Sequence, residues 1–185
     1  MSTTARQTRV AAWVTRLDKA ELRLCRQFNN LVQQAGIRRV FQLASRLGDG
    51  VVWYLLLGAL PLVAGHHGAL VALQMGVSGL AGLLLYRYLK RTFVRERPFI
   101  THAAITRAGV PLDRFSFPSG HTLHAVCFTI IAVSGFPLLA TVLIPLALLI
   151  ALSRVVLGLH YPSDVLVGAL IGAGMAVATL GILQA

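Results

Sequence analysis

Residues 118–156 read PSGHTLHAVCFTIIAVSGFPLLATVLIPLALLIALSRVV. From Ala125 to Ser153 there is no charged side chain and no histidine, and Gly135-Phe136-Pro137 divides the stretch in two. Each half is apolar on all faces, which describes a helix in lipid rather than one resting on a polar surface. The break is too short for anything but an antiparallel helical hairpin. Both ends of that hairpin, Pro118-Ser119-Gly120-His121 and Ser153-Arg154, therefore return to the same face of the membrane. Polar chemistry at the open end of a greasy hairpin sets the fold.

Working outward, Val51–Gly65 is apolar, His66-His67-Gly68 interrupts it, and Ala69–Tyr88 resumes. Thr122–Phe136, Leu138–Val156 and Val165–Leu183 complete the series. A straight crossing takes about 20 residues, so the shorter stretches must tilt or borrow flanking residues. The expectation is an all-α integral-membrane bundle of about five spans. Gly58, Gly76, Gly79, Gly82, Gly168, Gly172 and Gly174 are available for close helix contacts. Counting spans brings the end of the second, the start of the third, the end of the fourth and the start of the fifth to one membrane face.

Composition agrees. Of 185 residues 56% are hydrophobic and only 12% charged, where a soluble domain carries roughly a quarter charged. A formal net charge of +11 would suit nucleic acid, but no aromatic platform or nucleic-acid motif accompanies it and most of the chain is apolar. Anionic phospholipid or a phosphorylated substrate is the better partner for that charge. Cys25 and Cys127 give no disulfide framework. Met1 to Arg9 is polar and lacks the apolar core of a signal peptide.

The N-terminal segment differs. Leu17, Leu24, Phe28, Leu31 and Ala35 recur at helical spacing, with Arg16, Lys19, Arg23 and Arg26 on other faces. Val40, Leu43, Ala44 and Leu47 repeat the pattern beside Arg38, Arg39 and Arg46. These are basic amphipathic helices suited to the membrane surface, or to a polar hairpin packed on the membrane domain. The arginines, asparagines and glutamines between Arg23 and Arg46 argue against a sixth span. The expected division is a basic segment over 1–48 and a transmembrane domain over 49–185.

Three stretches carry the chemistry. Lys90 and Arg97-Pro98 leave a span; lysine brings a point charge and arginine a planar fork for phosphate oxygens, though the pair equally suits a snorkelling basic collar. Pro118-Ser119-Gly120-His121 opens a span, where free backbone N–H groups receive an anion and Gly120 lets it approach closely. His121 follows within one turn, placed to donate a proton; His124, a turn further on, reads as packing or support. Arg154 is the sole charge at the end of an apolar helix and needs an anionic partner. His160 and Asp164 are four residues apart, a spacing that lets the carboxylate hold one imidazole nitrogen and leave the other nucleophilic. Capping the last span is the plainer role for Asp164 and Ser163.

These stretches match, in order and spacing, the three signature motifs of the type 2 phosphatidic acid phosphatase (PAP2) superfamily, and the resemblance covers about residues 50–184. It implies a helical bundle that includes lipid phosphatases, lipid phosphotransferases, glucose-6-phosphatase and vanadium haloperoxidases. Integral-membrane members usually have six spans, so the amphipathic N-terminus departs from the pattern. The resemblance implies that His160 attacks phosphorus and becomes a phosphohistidine, with Asp164 holding its ring. It implies that His121 protonates the leaving lipid oxygen, and that Lys90, Arg97, Ser119, Gly120 and Arg154 hold the phosphoryl oxygens. No metal or other cofactor is expected, because cations and a helix N-terminus take the metal's electrostatic part and clustered carboxylates are lacking; His66-His67 reads as a solvent-facing turn.

The expected activity is hydrolysis of a lipid phosphate or diphosphate of the polyprenyl, phosphatidylglycerophosphate or phosphatidate type. Transfer of the phosphoryl group to a lipid hydroxyl, or phosphate binding without turnover, are the alternatives. Arg95, Arg107 and Arg114 in the 89–117 connection would favour a doubly charged head group. All 17 Lys and Arg residues lie before the first span or on the motif-bearing face. For a bacterial inner membrane the positive-inside rule then places the site on the cytoplasmic side.

Overall fold

The computed structural model describes residues 19–183, and within them the regular structure is helical. Helix α1 covers residues 19–29, and a 3₁₀ turn, Asn30–Gln33, leads to α2, Ala35–Arg46. A wide turn over Leu47–Val51 feeds α3, Val52–Phe93. The four-residue α4, Pro98–Thr101, sits in the connection to α5, Gly120–Gly135. Then follow α6, Ala140–Val156, and α7, Pro162–Leu183.

The sequence places the first hairpin turn over His66–Gly68; the chain makes it at one residue. Gly65 has φ 55 and ψ −133, a conformation that a side chain would resist, and the helix resumes at once with His66. That α3 folds back on itself follows from Gly68, where an added Cβ would lie 1.9 Å from the carbonyl oxygen of Leu60. Eight residues along a straight helix would separate them by about 12 Å. The two arms are thus residues 52–64 and 66–93, the second running five residues past the expected end at Tyr88. His67 hydrogen-bonds the Gly135 carbonyl (3.2 Å) and stacks edge-on against Phe136, so the two hairpin turns meet at one end of the bundle.

Helix α5 is the axis, packed on both arms of α3 and on α6 and α7. Trp53, Met75, Phe128, Ile131 and Ile150 fill the core between them. Leu62, Val63 and Leu138 are more than four-fifths exposed, and so face outward. Three helical stretches are long and apolar enough to cross a membrane: Ala35–Phe93, which holds both arms of α3, Pro137–Val156 and Pro162–Ile182. Helix α5 is shorter at 16 residues. Four of the seven glycines expected at helix contacts serve there. Added Cβ atoms at Gly168 and Gly172 would lie 2.6 and 2.3 Å from the Ser119 and Leu123 carbonyl oxygens, and those at Gly79 and Gly82 would strike Phe128 and Leu123. Around Gly58, Gly76 and Gly174 there is open space instead.

The N-terminal helices lie over the motif-bearing end. Asn29 donates to the Val156 and Thr106 carbonyls and accepts from the Thr106 N–H, tying α1 to the end of α6 and to the 102–119 loop at once. Val32 and Phe28 pack with Leu157 and Leu159.

Candidate active site

Lys90 sits in the last turn of α3, which Val94 ends in a left-handed conformation (φ 43). Its ammonium donates to both oxygens of Asp113 at 2.8 Å and to the Phe115 carbonyl at 3.0 Å. Arg97 is 1% exposed and uses four of its five N–H donors. It donates to the Asp113 carbonyl (2.9 Å), the Asp113 carboxylate (2.9 Å) and the Leu159 carbonyl (2.8 Å). A fourth bond, at 3.2 Å, runs to Nε2 of His160. Arginine has no acceptor atom, so Nε2 must be the accepting, unprotonated nitrogen of that ring.

Gly158, at φ 73, turns the chain out of α6, and the N–H groups of Leu159 and His160 both return to the Arg154 carbonyl at 3.0 Å. This fixes His160 beneath Arg97. Burial, then the neighbouring Arg97, Arg154 and Lys90 charges, hold its pKa well below the usual histidine range. The ring is neutral, carries its proton on Nδ1 and presents Nε2 as a nucleophile. Arg154, 1% exposed, donates to the Ser45 hydroxyl of α2. Ser153 turns back to the Ile150 carbonyl (2.6 Å).

Ser119 caps α5: its hydroxyl meets the Thr122 hydroxyl at 2.9 Å and the Thr122 N–H at 3.5 Å, while its own N–H donates to the Asp164 carbonyl (3.0 Å). The second and third motifs are thereby joined through backbone. The nearest atoms to a Cβ added at Gly120 would be those of the Tyr86 ring, at 3.6 Å, an ordinary contact distance. His121 hydrogen-bonds Asp49 through Nε2 at 2.5 Å. His124 faces the Gly120 and Gly79 carbonyls (2.9 and 3.1 Å), which makes it a tie between α5 and α3.

Asp164 lies near His160 but is committed elsewhere. Its Oδ2 is 3.6 Å from Nδ1 of His160 and accepts from the Tyr161 N–H at 2.8 Å; its Oδ1 accepts from Arg95 at 2.7 Å. Arg95 donates in turn to Glu21 of α1 and to Ser163, both at 2.7 Å, and lies 4.0 Å over the Tyr161 ring. Asp164 and Glu21 outweigh the cost of burial and raise the Arg95 pKa. Arg95 is thus a strut of the nucleophile loop and not a head-group contact, while Arg114 pairs with Glu96 and Arg107 lies over Phe99.

A cavity of about 450 Å³ unites the site. Lys90, Arg97, Gly120, His121, Arg154 and His160 line one end; Ser119 and Asp164 are buried and are not among the lining residues. Trp53, Leu57, Gly76, Leu80, Leu83 and Phe128 line the other, between the arms of α3. Reasoning from sequence passed over Asp49, Asp113, Glu21 and Ser45. Scarcity was the available signal: the chain has six acidic residues against 17 basic ones, so each acid had a cation to seek.

A neutral histidine ringed by buried cations at a helix N-terminus, opening onto an apolar trough, is the layout of a phosphoryl-transfer site for a lipid. The comparisons agree. Residues 67–185 match the family model of the PAP2 superfamily, to which this chain belongs. It is 30% identical over 145 residues to decaprenylphosphoryl-5-phosphoribose phosphatase of Mycobacterium tuberculosis, covering 77% of this chain and 78% of that one. It is 32% identical over 116 residues to the undecaprenyl-diphosphatase BcrC of Bacillus subtilis (63% and 60% covered). Among solved structures, the transmembrane PAP2 type phosphatidylglycerolphosphate phosphatase of Bacillus subtilis superposes with a TM-score of 0.71 at 25% identity, over 91% of this chain and 86% of that one. Aquifex aeolicus LpxE gives 0.71 at 29%, over 86% and 94%. The chain is a multi-pass membrane member of a phosphatase family.

Proposed function

We propose that this protein hydrolyses the phosphate monoester or diphosphate of a membrane lipid through a phosphohistidine. The observation that carries the reading is the two-ended cavity: cations around His160 Nε2 for the head group, and a trough between the arms of α3 for the tail.

In the first half-reaction Nε2 of His160 attacks phosphorus while His121 gives a proton to the departing lipid oxygen. In the second, water attacks the phosphohistidine and His121 takes up its proton. Lys90, Arg97, Arg154 and the N-terminus of α5 at Ser119 and Gly120 stabilise the equatorial oxygens. Asp164 orients the nucleophile loop and faces the Nδ1–H of His160. The acids at the site are engaged by cations or by histidine, so the site's own positive charge, rather than a divalent ion, does the electrostatic work.

Polyprenyl phosphates and diphosphates, phosphatidylglycerophosphate and phosphatidate all fit this layout, and the names of the relatives favour the polyprenyl-linked group. Detergent-purified protein should release inorganic phosphate from a panel of these lipids without an added acceptor and in the presence of EDTA. His160→Ala should lose on the order of 10³-fold or more. Phosphate release only when a lipid alcohol is supplied would make it a transferase. Release restored by magnesium after chelation would overturn the electrostatic account.

A further inference from the structure

The family match begins at residue 67, yet the turn at Leu47–Val51 puts a carboxylate into the site. Gly50, at φ 127, lets the chain corner from α2 into α3 within a few residues, and this swings Asp49 onto His121. Next to it Gly48 is wedged between α5 and α6: an added Cβ would lie 2.9 Å from Ile150 and 3.2 Å from Cδ2 of His121. The ring is thus held through Nε2 and along one edge. Its Nδ1 makes no hydrogen bond among the described residues, and the ring lines the cavity.

A general acid here faces a difficulty. Lys90 from α3 and Arg154 from α6 face His121 along with Arg97 and neutral His160, and this positive field opposes a second proton on the ring. Of the nearby acids, Asp113 is held by Lys90 and Arg97, and Asp164 by Arg95 and the Tyr161 N–H. Asp49 alone is bonded to the ring that must carry the proton.

We propose that Asp49 is the positioning residue of the general acid: it accepts from Nε2–H of His121, turns Nδ1 toward the cavity and supplies the negative charge that keeps a proton there. The inference rests on the phosphatase reading. As the bond from His160 Nε2 to phosphorus forms and the bond from phosphorus to the lipid oxygen breaks, the Nδ1 proton passes to that oxygen. Water then attacks phosphorus, its proton goes to Nδ1, and the phosphorus–nitrogen bond breaks. Asp49 stays ionised throughout.

A clip that merely held the corner to α5 would matter equally for every substrate, whereas in phosphoenzyme formation a partner of the general acid matters only where the leaving oxygen needs a proton. The test therefore compares an alkyl phosphate with p-nitrophenyl phosphate, whose leaving group departs unprotonated. Full-length protein in detergent is used as wild type, Asp49→Asn and Asp49→Glu. Asp49→Asn should lose about 10²-fold in kcat/KM, which reports the steps up to the phosphoenzyme, on the alkyl ester and no more than about threefold on the aryl ester. The basic limb of the alkyl-ester pH profile should move to lower pH, and Asp49→Glu should recover much of the rate. Equal losses on both esters, an unmoved limb, or wild-type alkyl turnover in Asp49→Asn would overturn the proposal and leave the phosphatase reading standing. A wild type inert toward both esters and the lipid panel would overturn both.

Discussion

Nδ1 of His160 and Oδ2 of Asp164 stand 3.6 Å apart, and the carboxylate keeps its shorter bonds for Arg95 and the Tyr161 backbone. Asp164 therefore has two duties. Asp164→Asn should slow turnover by about 10²–10³-fold, less than the ~10⁴-fold that loss of an orienting carboxylate costs in hydrolytic triads, because the contact to His160 is 3.6 Å long. Because Arg95 is left half-paired, it should also cost roughly 2 kcal/mol of stability. Thermal melting and single-turnover rates on the same preparation measure the two effects separately.

The neutral state of His160 predicts a pH dependence of stability. Its folded-state pKa lies well below the unfolded value near about 6.5, so the unfolded chain binds more protons in acid. This group's contribution is constant above that value and turns against the fold as pH drops below it. Melting temperature should fall between about pH 6.5 and 5, and His160→Gln should flatten that part of the curve. An identical slope in the variant would contradict the protonation state assigned to His160.

Asp113 occupies both Lys90 and Arg97, the cations assigned to phosphate. Vanadate, which adopts the five-coordinate geometry of the transition state, must share them with it. Asp113→Asn should tighten vanadate inhibition by about fivefold, the factor that matches roughly 1 kcal/mol for a partly exposed pair. Weaker inhibition would mean that Asp113 chiefly holds the cations in place.

Gly76 faces the apolar end of the cavity with no atom within 4 Å of an added Cβ. Gly76→Leu should fill that space without disturbing the helices. KM for a long-chain lipid phosphate should rise severalfold while a short-chain ester is handled as before. Equal effects on both would remove the trough as the tail site.

Thr106 is exposed in a loop at the motif-bearing end. If that end is cytoplasmic, Thr106→Cys should resist an impermeant thiol reagent in intact cells and react after permeabilisation. Cys25 is buried, with burial and then Glu21 pushing its thiol up to about 12, and Cys127 is buried too; both are replaced in the test background. Ready labelling of intact cells would put the site on the outer side.

Much of this molecule was legible because membrane helices announce themselves by length and composition, and because span parity carries distant residues to one face. Lys90, Arg97, Gly120, His121, Arg154 and His160 meet as their spacing implied. What stayed hidden depends on tertiary placement. Asp49 and Asp113 sit in turns with no periodicity to mark them. Arg95 looked like a head-group contact because the sequence does not show Glu21 crossing 74 positions to reach it. The single-residue reversal at Gly65 likewise leaves no mark in the sequence beside the three-residue break at His66-His67-Gly68.

The carbonyls of Ser119 and Leu123 rest directly on Gly168 and Gly172, backbone against backbone at those two points. Such a joint has no slack, so the start of α5 and the nucleophile loop form one inelastic block whose geometry tolerates little sequence drift. The α3 hairpin meets α5 through side chains such as Phe128 and leaves open space at Gly76. That asymmetry divides the molecule into a reaction half that must stay fixed and a tail-reading half that can be remodelled. On the proposed reading, a change of lipid would fall to residues 52–83, reachable by substitution without reopening the chemistry.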